Sequence, residues 1–242
     1  DSSLMSAIES DAVLRNFKMI AEPWDVSRYS LGDFPHPWRE WNDRYRDSVR
    51  QFWLGDLARG YGEGVADIAA GISGSSDVFY YRGPTSSINF VTAHDGFTLA
   101  DLVMYSNKRN EANQEDNRDG SNENRSWNMG VEGISEDAEL IALRHSLKKS
   151  IMATLLLSAG VPMITMGDEL CRTQAGSNNA YSMPRDMTPA IADSPETFMG
   201  GWANTWELNE LQRDMRDSVS ELSRIRKTYL ADVAAEFFTG RI

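Results

Sequence analysis

Three short polar signals sit where apolar runs end. Glu22 follows residues 17–21, His94-Asp95 follow residues 87–93, and Asp168-Glu169 close residues 161–167. Carboxylates gathered at strand ends suit glycoside hydrolysis: one acid protonates the leaving oxygen while another stabilises an oxocarbenium-like state. Glu22 and Asp95 are the candidates, and His94 could donate hydrogen bonds to substrate hydroxyls. The plain alternative for each is a solvated loop residue. Trp24, Tyr29, Phe34, Trp38 and Trp41 crowd the segment after Glu22. Singly each reads as loop packing; beside an acid they suit a sugar-binding cleft, because aromatic faces stack on sugar rings.

Other chemistries find little support. Glu115, Asn117 and Asp119 take the first, third and fifth places of a calcium-loop spacing with Gly120 at the sixth, but Ser126 stands where a bidentate Glu is needed. A hydrogen-bonding substrate loop or a solvated loop is the better reading. The three histidines (His36, His94 and His145) are scattered, and the single cysteine, Cys171, precludes an internal disulfide framework. Phosphate-binding and serine-nucleophile motifs are absent, and no cofactor or metal is implied. The chain has 242 residues and a net charge of −12, from 24 Lys+Arg against 36 Asp+Glu. That balance disfavours nucleic acid and anionic membrane surfaces as partners. The most apolar stretch, 151–166, is broken by Ser158, Gly160 and Pro162, so it does not read as a membrane span.

The candidate groups need elements to hold them. Strands are expected over 17–21, 38–41, 87–93 and 161–166, with the start of another at 236–239. Helices are expected over 3–16 (Leu4, Ile8 and Val13 as its stripe), 43–54, 98–105, 139–159 and 208–225. Asn42 and Asp43 read as caps of the second helix, with Tyr45, Val49, Phe52 and Trp53 on its apolar side. Leu140, Leu143, Leu147, Ile151 and Leu155 form the stripe of the fourth. A short helix is expected within 55–76, a polar loop with seven asparagines at 107–128, and irregular chain over 183–206. Alternating strand and helix implies a parallel sheet or barrel, whose carboxyl-end rim is where active sites are built.

Long segments match a family. KMIAEPWDV (18–26), FPHPWREWNDRYRDSVRQFW (34–53), SINFVTAHDGFTLADLV (87–103), NEANQEDNRDGSNENRSWNMGVEG (110–133) and GDELCRTQAGSNNAY (167–181) closely resemble bacterial glycogen debranching enzymes of the isoamylase type, in the α-amylase superfamily. The resemblance implies an α/β fold: the C-terminal half, strands five to eight, of a (β/α)8 TIM barrel over 1–230, with 231–242 beginning a C-terminal β-domain. It implies hydrolysis of α-1,6 branch linkages in glycogen or a related α-glucan by a retaining mechanism, in the cytoplasm. Glu22 then matches the general acid/base and Asp95 the transition-state stabiliser. His94, Trp24, Asn178 and Asn179 match substrate-binding positions.

Two departures matter. The family's nucleophile is an aspartate in a segment resembling G-F-R-x-D, and these 242 residues contain none. The chain also starts at Asp1 rather than Met and looks cut from something longer. It is therefore expected to be inactive alone, and its open sheet edges to be aggregation-prone or to need a partner such as the missing barrel half. A non-catalytic glucan-binding or regulatory subunit, or a fragment without independent function, are the competing readings. Glu22, His94 and Asp95 standing together favour the enzyme.

Overall fold

The computed structural model describes residues 3–55, 64–180, 198–199 and 208–240. Four strands, β1 (Ile20–Ala21), β2 (Arg39–Asn42), β3 (Ser87–Asn89) and β4 (Val161–Pro162), form one sheet in chain order. Every pairing is parallel: Ala21 faces Glu40, Glu40 faces Ser87, and Ile88 faces Val161. Parallel neighbours need a crossover; irregular chain makes it from β1 to β2, and helices supply the next two. The crossovers contain α2 (Asp43–Leu54), α3 (Val65–Ile72) and α4 (Ser76–Phe79) between β2 and β3. Between β3 and β4 lie α5 (Leu99–Leu102) and α6 (Ala138–Leu157). Before the sheet comes α1 (Ser3–Ser10). After it come a short parallel pair, β5 (Arg172–Thr173) with β6 (Phe198–Met199), and then α7 (Glu210–Ile225).

The strands are shorter than their apolar runs, yet the ladder continues past their ends. Arg39 N–H donates to Met19 O at 2.9 Å, and Met163 N–H to Asn89 O at 2.7 Å. The two faces of the sheet differ in burial. Ala21, Glu40, Asn42, Ser87 and Asn89 point to the helix side and are buried. On the other face burial is uneven: Ile88 is buried, Arg39, Trp41 and Val161 are half-buried, and Ile20 is 48% exposed.

Capping residues set the helix starts. The Asn42 side chain accepts Tyr45 N–H at 3.0 Å, Asp137 accepts Glu139 N–H at 2.9 Å, and Asn209 forms a reciprocal capping box with Gln212. Asn42 also donates to the hydroxyls of Ser75 at 3.0 Å and Ser87 at 2.9 Å, tying the start of α2 to the α3–α4 turn and to β3. The core joins Tyr45, Val49 and Leu54 of α2 to Phe97–Tyr105, to Ile151, Met152 and Leu155 of α6, and to Met215 and Val219 of α7.

Several expectations change. The first helix stops at Ser10 and buries nothing, so Leu4 and Val13 are exposed; an amphipathic stripe is buried only where a partner surface meets it. In α6, Leu143 is 48% exposed, whereas Arg144 is fully buried. Arg144 turns inward because its guanidinium donates to Gly133 O at 2.7 Å and Asn128 O at 2.9 Å, satisfying loop carbonyls. No strand forms at 236–239. A single helical turn at Val233–Ala235 leads into irregular chain, and Phe238 N–H bonds the Ser73 carbonyl instead of a neighbouring strand. The segment expected to be irregular over 183–206 lies outside the described residues, except for β6.

Asn42→Ala removes a cap and two buried donor contacts together. It is expected to lower stability by about 2–3 kcal/mol, read as a shift in the urea midpoint at constant slope.

Candidate active site

All four strands of the sheet run the same way, so their carboxyl ends share one edge. Glu22 stands one residue beyond β1 and is exposed, between buried Ala21 and buried Pro23. The chain then folds back on itself. Trp24 bridges Tyr29 antiparallel, and Ser30 N–H donates to Pro23 O at 2.7 Å. Asp25 closes the turn by accepting Ser27 N–H at 2.6 Å and Arg28 N–H at 2.8 Å, bonds that hold its carboxyl below the usual range. The Tyr29 hydroxyl donates to Asp43 at 2.7 Å, fastening this loop to the start of α2. Trp24 is half-buried within the loop.

The second group lies beyond β3. His94 Nε2 is 3.2 Å from Asp95 Oδ2, with their side chains 55% and 71% exposed. The His94 ring packs on Trp41 of β2, 5.7 Å between centroids, so the group leans toward the strand between itself and β1. Asp95 forms a backbone bridge with Asn179, and Gly96 N–H donates to Asn178 O at 2.8 Å. Asp95, His94, Asn178 and Asn179 are thus brought together. Glu22 leaves the same edge two strands away.

Asn178 is 1% exposed and its amide is fully engaged. It donates to Ser121 O at 2.7 Å and Asn124 Oδ1 at 2.8 Å, and accepts Asn110 Nδ2 at 2.8 Å. Its place is inside the wall of the rim. Asn179 is half-buried and donates to Asp119 Oδ2 at 2.8 Å, beside a second bond there from Asn113 at 2.9 Å. These amide bonds hold the Asp119 carboxyl below its ordinary range. The asparagine-rich loop is therefore internally bonded. Lys108 Nζ donates to the carbonyls of Asp119 at 2.8 Å and Gly120 at 3.0 Å, and Asn117 Oδ1 accepts Asn110 N–H at 2.9 Å.

Beneath the rim lie buried charges: Asp168, whose place after a strand was expected, and Asp101 and Arg50, which motif reading passed over. Asp168 accepts the Thr92 hydroxyl, and Leu99 N–H at 3.0 Å. Burial pushes its carboxyl up to about 6, against the opposing pull of those bonds and of Arg172; Glu169 adds to the rise. Asp101 accepts the hydroxyls of Thr98 at 2.9 Å and of Thr173, and Gln174 N–H at 2.8 Å; burial raises its pKa too. Arg50 donates to Val91 O at 2.8 Å and Asn124 O at 3.1 Å, and burial pushes it down to about 9. The sequence signal for both acids is a carboxylate set in an apolar run, as in FTLADLVM and ITMGDELC.

A cavity of about 490 Å³ lies on the helix side, lined by Arg44, Asp47, Asp67 and Asp77 among others. Its arginines Arg44 and Arg125 are paired with Asp77 at 2.8 Å and Asp47 at 3.0 Å, and none of the rim groups lines it. His145 is likewise remote from the rim, buried on α6 and 2.7 Å from Asp214.

The chain is 42% identical over 243 residues to the glycogen operon protein GlgX homolog of Mycobacterium bovis, which covers 99% of this chain. A glycogen debranching enzyme from Pectobacterium atrosepticum is 42% identical over 230 residues, covering 93%. The chain belongs to the bacterial glycogen debranching enzyme family. It spans 31% and 32% of the length of these two relatives. No protein-family model matches it. Among solved structures, a pullulanase from Bacillus acidopullulyticus superposes with a TM-score of 0.54 at 20% identity, over 89% of this chain and 23% of that one. A pullulanase from Paenibacillus barengoltzii complexed with maltotriose gives 0.57 at 20% identity, over 87% and 29%. At that identity the likeness speaks for the debranching-type fold alone.

The Asp168 ionisation has a signed consequence. Its folded pKa is raised from 3.8 to about 6, so the native state keeps a proton that the unfolded chain releases. Stability therefore falls as pH rises through that window. Melting temperatures of the protein and Asp168→Asn, compared from about pH 4 to about pH 6.5, should show the difference moving in the variant's favour as pH rises.

Proposed function

We propose that this chain forms part of an enzyme that hydrolyses α-1,6 branch linkages in glycogen or a related α-glucan by a retaining mechanism. One observation carries the reading: Glu22 and His94-Asp95 leave the same edge of one parallel sheet, on strands separated only by β2. Parallel α/β enzymes build their sites at that edge. The family relationship supplies the substrate class.

In this reading the Glu22 carboxyl protonates the bridging oxygen of the branch as the C–O bond breaks. The resulting carboxylate then takes a proton from the water that releases the glycosyl intermediate. Asp95 binds sugar hydroxyls and stabilises the positive charge that develops at the anomeric carbon. His94, held on Trp41, donates to a further hydroxyl. Trp24 and Asn179 line the cleft, and Asn178 braces it. The pairing partner is a branched glucan such as a limit dextrin; no cofactor enters the chemistry.

The four strands are strands five to eight of a (β/α)8 barrel, residues 1–230 belonging to it and 231–242 leading toward a C-terminal β-domain. Two observations support this. The strands follow one another in chain order, and β1 and β4 have no outer neighbour among the described residues. The nucleophile comes from the other half-barrel, and the chain alone does not cleave. The cytoplasm, where glycogen is stored, is the compartment this activity implies.

The test is reducing-end release from a branched limit dextrin. The chain is compared with a form joined to the first half-barrel of a family relative, each with Glu22→Gln as control. Activity only in the joined form, lowered there by about 10²–10⁴-fold in Glu22→Gln, is expected. Cleavage by the short chain would place a nucleophile within these residues. Glucan binding without cleavage in either form would favour a binding subunit.

A further inference from the structure

The loop carrying His94 and Asp95 leaves the β3 segment at Thr92 and re-enters helix at Leu99, with residues 93–98 between. Asp168, in the turn after β4, reaches both ends. One carboxylate oxygen accepts the Thr92 hydroxyl, and the other accepts Leu99 N–H at 3.0 Å. Asp168 is 0% exposed, so it meets no solvent and no sugar. The loop's middle is held more lightly, by Gly96 N–H on Asn178 O at 2.8 Å and by the Asp95–Asn179 bridge.

A buried carboxylate is an expensive way to fill a core. What it offers here is two acceptors on one rigid group, aimed at two points that flank the site. An amide of the same shape could still accept Leu99 N–H and turn its own N–H to the Thr92 hydroxyl, which accepts as well as donates, so only removal of the whole group frees both ends. Burying the ion is rational if the geometry of the loop, rather than packing, is what it secures.

We propose that Asp168 is a positioning residue: by binding Thr92 and Leu99 at once, its carboxylate fixes the six-residue loop between them and so sets the direction in which His94 and Asp95 face a glucan. This rests on the reading of His94 and Asp95 as substrate-facing groups. Placement errors of about 1 Å in such groups are enough to cost about 10²-fold in rate.

Two signals report on the loop without any assay of activity. One is hydrogen exchange at Gly96 N–H. The other is the His94 ring-proton resonance, displaced by the ring current of Trp41. The variants are Asp168→Ala, Thr92→Val and Thr92→Ser, with Ile151→Val as a core control of modest cost. Gly96 exchange about tenfold faster or more, with the His94 resonance moving toward its free position, is expected in the first two variants. Thr92→Ser should restore both signals and Ile151→Val should leave both unmoved. In the joined half-barrel form, Asp168→Ala and Thr92→Val should lower kcat by about tenfold or more with KM within about threefold.

Loop signals in Asp168→Ala and Thr92→Val that match the core control overturn the proposal. So do loop signals that move while kcat does not, in a form that Glu22→Gln inactivates. A cleaving form indifferent to both Glu22→Gln and Asp95→Asn would sink the functional reading, and the loop signals would then decide the anchoring by themselves.

Discussion

Nearly all of the chemistry-bearing rim is built from backbone that is neither helix nor strand. Its peptide groups lack the repeating partners of a ladder, and burying them unpaired would cost more than the fold could bear. Side chains from distant points supply the partners. Lys108 gathers the carbonyls of Asp119 and Gly120, Arg50 those of Val91 and Asn124, and Arg144 those of Gly133 and Asn128. Asn110 and Asn178 stitch the asparagine-rich loop to the segment behind Asp95. This set of buried polar contacts is what lets exposed groups such as His94 and Asp95 stand on a fixed base.

The sheet contributes direction. Parallel strands in chain order bring the residues after β1 and β3 to one edge, and the helices cover only one face. The polar side chains on the covered face are bound to each other rather than to water: Asn42 to Ser75 and Ser87, Ser87 to Asn89, and Asn89 to Ala159 O at 2.7 Å. At the far end, Arg226 closes the carbonyls of Leu156 and Ser158, both at 2.7 Å, where α6 turns into β4. The same device recurs on both sides of the molecule: a cation set against the carbonyls that a chain reversal leaves open.

Much of the skeleton was legible in the residues. Asn42 as a cap and the four strand positions follow from local chemistry, and the structure has them. Glu22 stands directly after β1 as expected, whereas β3 ends at Asn89 and leaves Asp95 six residues beyond it. What failed depended on tertiary context. The stripe of α1 needed a surface to meet, and Leu143 lost its inward place to Arg144 because loop carbonyls outbid a leucine for that space. The polar loop at 107–128 read as either a hydrogen-bonding substrate loop or a solvated one, because polarity alone does not distinguish a solvated amide from one that replaces a missing ladder. Asn178, expected in the cleft wall facing substrate, is instead consumed by that network. Asp168 was visible as a polar signal closing an apolar run, without its buried role, and Asp101 only as an acid out of place in one.

The central claim is that Glu22 and Asp95 act on one transition state. A double-mutant cycle in the form that cleaves branched dextrin tests it most directly, using Glu22→Gln, Asp95→Asn and the pair. Groups serving one transition state are strongly non-additive, so the pair should be little slower than the slower single variant. Rate losses that simply multiply would contradict the account, because they would mean that the two carboxylates act independently.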